Sequence, residues 1–264
     1  MIVRDGTITL MGAGALWLWI DDEETPEIDD GPTRENGTKN DDIIRTGGGN
    51  DTVFGEEGND LILAGADDDR AFGGSGGDFV FGEDGNDFLR GGRNSDTIFG
   101  GAGSDTLCGD VGNDVIVGAD VIQTQDLIGT LLSGPLPEDA NVIDFNDLDA
   151  DTGELDILDG GFGNDTIIAG SNDLVITGPD ADEDVVNVGQ WVDPNKPVII
   201  TQFDAAKDVM VYTFEGTETP VLEFGETNDQ AALLVDGKAI ALFENTTLSE
   251  LRQNNTRIII DRIV

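Results

Sequence analysis

The feature that most limits how this chain can fold is a nine-residue repeat that runs without a gap from residue 37 to residue 117. All nine copies have Asp at the sixth position and an aliphatic residue at the eighth. Composition alone does not produce two fixed positions in one uninterrupted register. Because stacked copies of a short unit bury a continuous core, the pattern predicts a repeat architecture with an inward ladder of eighth-position side chains. These side chains are Ile44, Val53, Ile62, Ala71, Val80, Leu89, Ile98, Leu107 and Ile116.

The fourth position of the repeat predicts a turn with a left-handed backbone. It is Gly in six copies and Asn40, Asp67 or Asn94 in the other three. Asn and Asp are the residue types that best tolerate a positive φ where Gly is absent. The unit is therefore predicted to be a six-residue turn followed by a very short strand.

Several copies resemble a known calcium-binding repeat. Residues 73–81 and 100–108 have the sequences GGSGGDFVF and GGAGSDTLC, which are similar to the G-G-x-G-x-D-x-U-x motif of RTX (repeats-in-toxin) proteins. The resemblance covers residues 37–117 and returns at residues 160–168. It implies an all-β fold, a calcium-bound parallel β-roll with two nonapeptides per coil and a C-terminal β-rich cap.

The sixth-position aspartates are the predicted calcium ligands, because calcium takes six to eight oxygens from carboxylates and carbonyls. With two nonapeptides per coil, turns 18 residues apart stack about 4.8 Å apart, close enough to share an ion. Four gaps on one edge and three on the other predict about seven ions in the main roll. The alternative, that these residues only initiate turns, does not require Asp at one position nine times running. The predicted ligands are Asp42, Asp51, Asp60, Asp69, Asp78, Asp87, Asp96, Asp105 and Asp114, with Asp165 and Asp173 in later copies.

The charge balance agrees with bound cations and argues against several function classes. The chain has 13 Lys and Arg, 55 Asp and Glu, no His and one Cys, for a net charge of −42. Such a chain repels nucleic acid and anionic membranes. Without His it has no imidazole chemistry, and one Cys cannot build a zinc site. Cys108, with no cation beside it in sequence, is interpreted as an inert thiol, and the prediction is that the protein is not an enzyme.

The remainder of the chain divides by composition. Residues 147–153 resemble the start of an EF-hand loop, but Gly comes one residue late and the closing Glu is missing, so an acidic linker is the preferred interpretation. After residue 188 the pattern predicts ordinary strands, a hairpin at Asp236-Gly237 and one helical turn at residues 249–253. The predicted units are an N-terminal apolar segment and acidic linker at 1–36, the roll at 37–117, an insertion with a short helix after Asp120 at 118–150, degenerate repeats at 151–187 and the cap at 188–264.

The N-terminal apolar segment, Thr9–Ile20, has no charged residue. It is shorter than the roughly 20 residues that a membrane-spanning helix needs, so no membrane span is predicted. Two interpretations stay open, a buried strand or docking segment and an N-terminal anchor.

One outward face of the roll is predicted to be apolar. On the sheet formed by alternate repeats, eight of the ten outward residues at positions seven and nine are apolar, which exceeds the largest exposed patch of a typical monomer. Either the chain itself covers this face, through residues 118–150 or Trp17 and Trp19, or a second protomer does, which would make a homo-oligomer. The face consists of Ile43, Arg45, Leu61, Leu63, Phe79, Phe81, Thr97, Phe99, Val115 and Val117.

The leading functional hypothesis is a secreted calcium-binding structural protein that folds on extracellular calcium and assembles into a surface layer or matrix. The resemblance implies type I secretion to the exterior or cell surface of a Gram-negative bacterium, from a C-terminal signal placed at residues 248–264. The alternatives are a secretion and folding module, as found beside catalytic domains in that family, and an adhesin-like protein that binds a cell-surface or carbohydrate ligand.

Overall fold

The computed structural model describes residues 3–4, 7–8, 31–118, 132, 154–179 and 182–263. Short strands at intervals of nine residues dominate it. The strands of the repeat region are β3 (Arg34–Asn36), β4 (Ile43–Gly48), β5 (Thr52–Glu57), β6 (Leu61–Ala66), β7 (Arg70–Ser75), β8 (Phe79–Asp84), β9 (Phe88–Arg93), β10 (Thr97–Ala102), β11 (Thr106–Val111) and β12 (Val115–Val117). Before them, β1 (Val3–Arg4) and β2 (Thr7–Ile8) form an isolated antiparallel pair.

The second half of the chain adds ten more strands and one short helix. These are β13 (Ile157–Asp159), β14 (Thr166–Ile168), β15 (Leu174–Ile176), β16 (Val185–Gly189), β17 (Val198–Thr201), β18 (Val209–Glu215), β19 (Leu222–Thr227), β20 (Gln230–Val235), β21 (Lys238–Phe243), α1 (Leu248–Gln253) and β22 (Arg257–Ile263).

Alternate strands belong to opposite sheets, so each coil of the chain contains two nonapeptides. The nine-stranded sheet has the order β22-β18-β16-β14-β12-β10-β8-β6-β4, and the eleven-stranded sheet has the order β19-β20-β21-β17-β15-β13-β11-β9-β7-β5-β3. Within the repeats every pair is parallel and offset by 18 residues, as in Ile62↔Val80 and Val53↔Ala71. The predicted all-β parallel β-roll is confirmed.

The aliphatic ladder lies between the two sheets, as predicted. Val53, Ile62 and Leu107 are fully buried, and Leu158, Ile167 and their successors extend the ladder into the degenerate repeats. Because each layer contributes one aliphatic side chain per strand, the core is thin but continuous along the roll.

The roll continues in register across the insertion. Strand β13 pairs with β11 through Leu107↔Leu158, and β14 pairs with β12 through Ile116↔Ile167, so here 51 residues take the place of the usual 18. The predicted short helix of residues 118–150 lies outside the described residues except for Leu132, which is helical.

The C-terminal region closes one end of the roll. Strands β19, β20 and β21 form antiparallel hairpins, and the turn between β20 and β21 has positive φ at Asp236 and Gly237, as that dipeptide predicts. Helix α1 begins with a capping box between Thr247 and Glu250 and buries Leu251. Within the described ranges, no helix has the length and apolarity needed to cross a membrane.

The turns contain more left-handed residues than the sequence predicts. Position four has a positive φ in seven of the nine copies, the exceptions being Asn40 and Gly112. Position two is left-handed in eight of the nine copies, the exception being Thr38, and it is so even where it is Glu56, Glu83 or Asp110. The expectation of a single left-handed position was therefore incomplete, because each turn reverses the chain in two steps.

Candidate metal centre

The sixth-position aspartates form two columns, one along each edge of the roll. Each Asp immediately precedes a strand, so the parallel register of the sheets places equivalent carboxylates in adjacent coils. The backbone N–H of Asp60 donates to Oδ1 of Asp78 over 2.8 Å, and the N–H of Asp78 donates to Oδ1 of Asp96 over the same distance. On the other edge Asp69 donates to Asp87 in the same way. The two columns that the sequence predicts are therefore present.

In eight aspartates of the columns one carboxylate oxygen lacks a hydrogen-bond donor. These side chains are 0–3% exposed, and the free atom is Oδ1 in Asp42 and Oδ2 in the other seven. A buried polar atom without a partner is strongly unfavourable, and a carboxylate more so. A cation is the partner that two rows of such oxygens accommodate. The residues with this free oxygen are Asp42, Asp51, Asp60, Asp69, Asp78, Asp87, Asp96 and Asp114.

The space beside each free oxygen is kept open by glycine at position one. A Cβ built on Gly82 would lie 2.3 Å from Oδ2 of Asp87 and 2.5 Å from the carbonyl oxygen of Gly100. Carboxylate and carbonyl oxygens therefore border the same small space, and these are the donors that calcium prefers. The column that begins with Asp51 and Asp69 differs at these two members. Position one is Thr46 in the first copy and Ala64 in the next, and the Thr46 hydroxyl donates to the Ala64 carbonyl oxygen.

Burial raises the pKa of six of these carboxyl groups, and neighbouring carboxylates of the column raise several of them further. The six are Asp60, Asp69, Asp78, Asp87, Asp96 and Asp114. The pKa of Asp96 is raised to about 9, and the pKa values of Asp60, Asp69 and Asp114 are raised to about 7. The backbone N–H that each carboxylate accepts lowers the pKa but does not outweigh burial. Without a counter-charge, ionisation of these six carboxyl groups at neutral pH therefore opposes the folded roll.

Each site must combine carboxylates with backbone oxygens. Among the described residues no group of three or more His, Cys, Asp or Glu side chains converges on one point. A gap between two coils therefore offers the carboxylates above and below it together with the carbonyls of the glycine turns. Hard oxygen donors without nitrogen or sulfur suit calcium and do not suit zinc or copper.

The columns extend beyond the main roll, where the sequence predicted only two members. Asp165 accepts the N–H of Asp114 over 2.8 Å and donates to Asp184 over 2.9 Å. On the other edge Asp156 accepts from Asp105 over 2.8 Å. Asp156, Asp184 and Asp208 were not predicted. Asp156 is the sixth residue of the degenerate copy 151–159, so the repeat register could have identified it.

Both columns end on a carboxylate whose two oxygens accept backbone N–H groups. Asp208 accepts from Asp184 at Oδ1 and from Asp204 at Oδ2, over 3.1 and 2.7 Å. Asp173 accepts from Asp156 and Gly170 over 3.1 and 2.6 Å. Backbone N–H groups occupy both oxygens of each of these two aspartates, so the ligand role of Asp173 stays a prediction with less geometric support than that of the main columns.

The comparison with protein families identifies the repeats. Residues 36–71, 63–97, 72–107, 81–116 and 152–183 match the model of the RTX calcium-binding nonapeptide repeat. No curated protein matches the chain significantly. The matched residues include both columns of the main roll and Asp156, Asp165 and Asp173. Residues 36–116 and 152–183 of this chain therefore belong to the RTX calcium-binding nonapeptide repeat family.

Proposed function

We propose that this is a secreted structural protein whose β-roll folds when calcium fills the two carboxylate columns. The observation that supports this most directly is the row of buried carboxylate oxygens without hydrogen-bond donors. About seven ions in the main roll would each neutralise carboxylates from two adjacent coils. The site offers no nucleophile and no imidazole, so the role proposed is structural and not catalytic.

Calcium would act on the folding equilibrium by mass action. Without a cation the columns place like charges at close spacing in a buried setting, which opposes the folded state. An ion that binds only the folded chain stabilises it by about 2.7 kcal/mol when its concentration is 100 times its dissociation constant. Several such sites outweigh the repulsion at extracellular calcium concentrations, whereas cytosolic calcium is too low to fill them.

Secretion follows from this switch and from the family. An unfolded acidic chain in the cytosol suits passage through a type I exporter, with residues 248–264 as the signal. These residues include helix α1 and the edge strand β22, in which Ile259 and Ile260 are exposed. The proposed location is the exterior or cell surface of a Gram-negative bacterium.

The test is far-UV circular dichroism of the full chain with millimolar calcium and after chelation, with magnesium as the control cation. Strand signal should appear with calcium and disappear with chelator, while magnesium should be much less effective because it demands shorter, octahedral geometry. Native mass spectrometry should count about seven ions. A spectrum that does not respond to chelation would refute the proposal.

A further inference from the structure

The apolar outward face of the nine-stranded sheet is covered within a single chain. Seven of its ten residues are only 0–4% exposed, although all of them point away from the core of the roll. At the N-terminal end of this face the covering stops, since Ile43 is half-buried and Arg45 is exposed. The seven covered residues, called the outer strip below, are Leu61, Leu63, Phe79, Phe81, Thr97, Phe99 and Val117.

The equivalent positions of the opposite sheet show what this face looks like when nothing lies over it. Phe54, Phe72 and Phe88 are half-buried, and Arg70 and Arg90 are exposed. The rings of Phe54 and Phe72 stack on each other at 4.9 Å, so they cover one another's faces and leave their edges to solvent. Strand neighbours alone therefore do not bury outward side chains, and the outer strip must have a partner above the sheet.

No described strand or helix makes extensive contact with the outer strip from above the sheet. The elements in extensive contact with β6, β8 and β10 are neighbouring strands of the roll, which flank the outer strip without lying over it. The two long segments outside the described ranges are residues 1–30, apart from β1 and β2, and residues 119–153, apart from Leu132. These two segments are the candidate occupants.

We propose that the occupant is the N-terminal apolar segment, Thr9–Ile20. It has no charged residue and contains Trp17 and Trp19, which match a surface formed by Leu, Phe and Val. Residues 119–153 instead contain eight acidic and no basic residues. The outer strip lies between two carboxylate-rich edges, so an acidic segment would add repulsion there, whereas the apolar segment adds none.

The dimensions allow this contact. From β6 to β12 the outer strip crosses three strand spacings, about 14 Å in total. The acidic linker of residues 21–30 can reach about 33 Å when extended, and an extended segment of twelve residues is about 40 Å long. The described range that contains the roll begins at Gly31, next to β3 at the N-terminal end of the roll, so the linker is long enough to bring the segment onto the strip.

The tryptophans make the contact measurable, because the chain has three and the third is Trp191. In a Trp191→Phe background, emission and acrylamide quenching report only Trp17 and Trp19. With calcium we expect blue-shifted emission and quenching several-fold weaker than in the unfolded chain. Adding Leu63→Asp and Phe81→Asp should restore strong quenching, while Phe72→Asp on the opposite sheet should not. Calcium-induced dichroism verifies that each variant folds.

Deletion of residues 1–30 provides a second measurement that does not depend on the double variant folding. We expect the truncated, calcium-loaded protein to bind an apolar dye at the bared outer strip and to self-associate in sedimentation. Freely quenched Trp17 and Trp19 in the folded protein would overturn the proposal. The proposal would also be wrong if the truncated protein stays monomeric and binds no dye, and if a variant with residues 119–150 replaced by a Gly-Ser linker does bind the dye. That result would identify the insertion as the occupant.

Discussion

Replacing Asp78 by Asn should change the stability of the roll in opposite directions with and without calcium. Asp78 is the middle member of its column in the main roll, and it is 1% exposed. Asn keeps an oxygen that can accept the N–H of Asp60, so the hydrogen-bonded ladder stays intact. What is lost is one negative charge, which is harmful in the calcium-free roll and necessary in the calcium-loaded one.

The structure sets the size of both effects. Burial raises the pKa of Asp78 from 3.8 to about 6. At pH 8 ionisation of this carboxylate therefore destabilises the calcium-free roll by about 3 kcal/mol, and Asn removes that penalty. In calcium, Asp78 borders two gaps, and emptying both at 100 times the dissociation constant removes about 5 kcal/mol. The variant should be about 3 kcal/mol more stable in chelator and about 2 kcal/mol less stable in calcium.

Urea unfolding at pH 8, followed by far-UV circular dichroism, measures both values. For the measurement in chelator, a stabilising osmolyte is added to populate the folded state, because we expect the calcium-free wild-type roll to be unfolded without it. Asp84→Asn is the matched control, since Asp84 is exposed at the end of β8 and its substitution removes the same charge. The control should change neither value by more than about 0.5 kcal/mol.

Native mass spectrometry adds an independent count, because Asp78→Asn should lose two ions and Asp84→Asn none. If Asp78→Asn destabilises the roll equally in chelator and in calcium, the carboxylate acts through packing or hydrogen bonding alone. The interpretation of the columns as cation sites would then be wrong.

Three further predictions concern pH, a weak site and the cysteine. Without calcium, the pKa of Asp78 is about 6 and that of Asp96 about 9 in the folded roll, whereas an Asp in the unfolded chain releases its proton near pH 3.9. Stability should therefore fall as the pH rises from about 4 to about 9, and dichroism in chelator should show more strand at pH 4.5 than at pH 8. Thr46→Gly with Ala64→Gly should reopen the gap between Asp51 and Asp69 and lower the calcium concentration at the folding midpoint, whereas a higher midpoint would show that these side chains support the site. Burial raises the pKa of Cys108 to about 11 although Arg90 lies beside it on the neighbouring strand, so iodoacetamide should react slowly in calcium and much faster in chelator.

The repeat register was predictable because one physical rule applies to every copy. An inward aliphatic residue at position eight and an Asp at position six determine the pairing of β4 to β12, and the structure places Ile62 and Asp60 accordingly. The same rule extends to Asp156 and Asp165 on either side of the insertion. Local turn chemistry also identified the hairpin at Asp236-Gly237.

Other features depend on contacts that no periodicity encodes. Asp184 follows Asp165 by 19 residues and Asp208 follows Asp184 by 24, so the constant spacing that identifies column members is lost there. The left-handed backbone at Glu56 was not predictable, because Glu does not favour it and the stacked coils impose it. No periodicity identifies the partner of the outer strip, so the sequence predicts that the strip needs a cover and names candidates for it without choosing among them.

The continuous register from β11 to β13 means that the roll can accept an insertion between coils and keep its strand pairing. On either side of residues 119–153 the register is unchanged, since β11 still pairs with β13 and β12 with β14. Each coil recognises only its two neighbours, so any polypeptide whose ends lie close together satisfies the same boundary. An evolving gene could therefore add a folded domain at this point, and a protein engineer could do the same, while calcium still controls when the whole assembly becomes ordered.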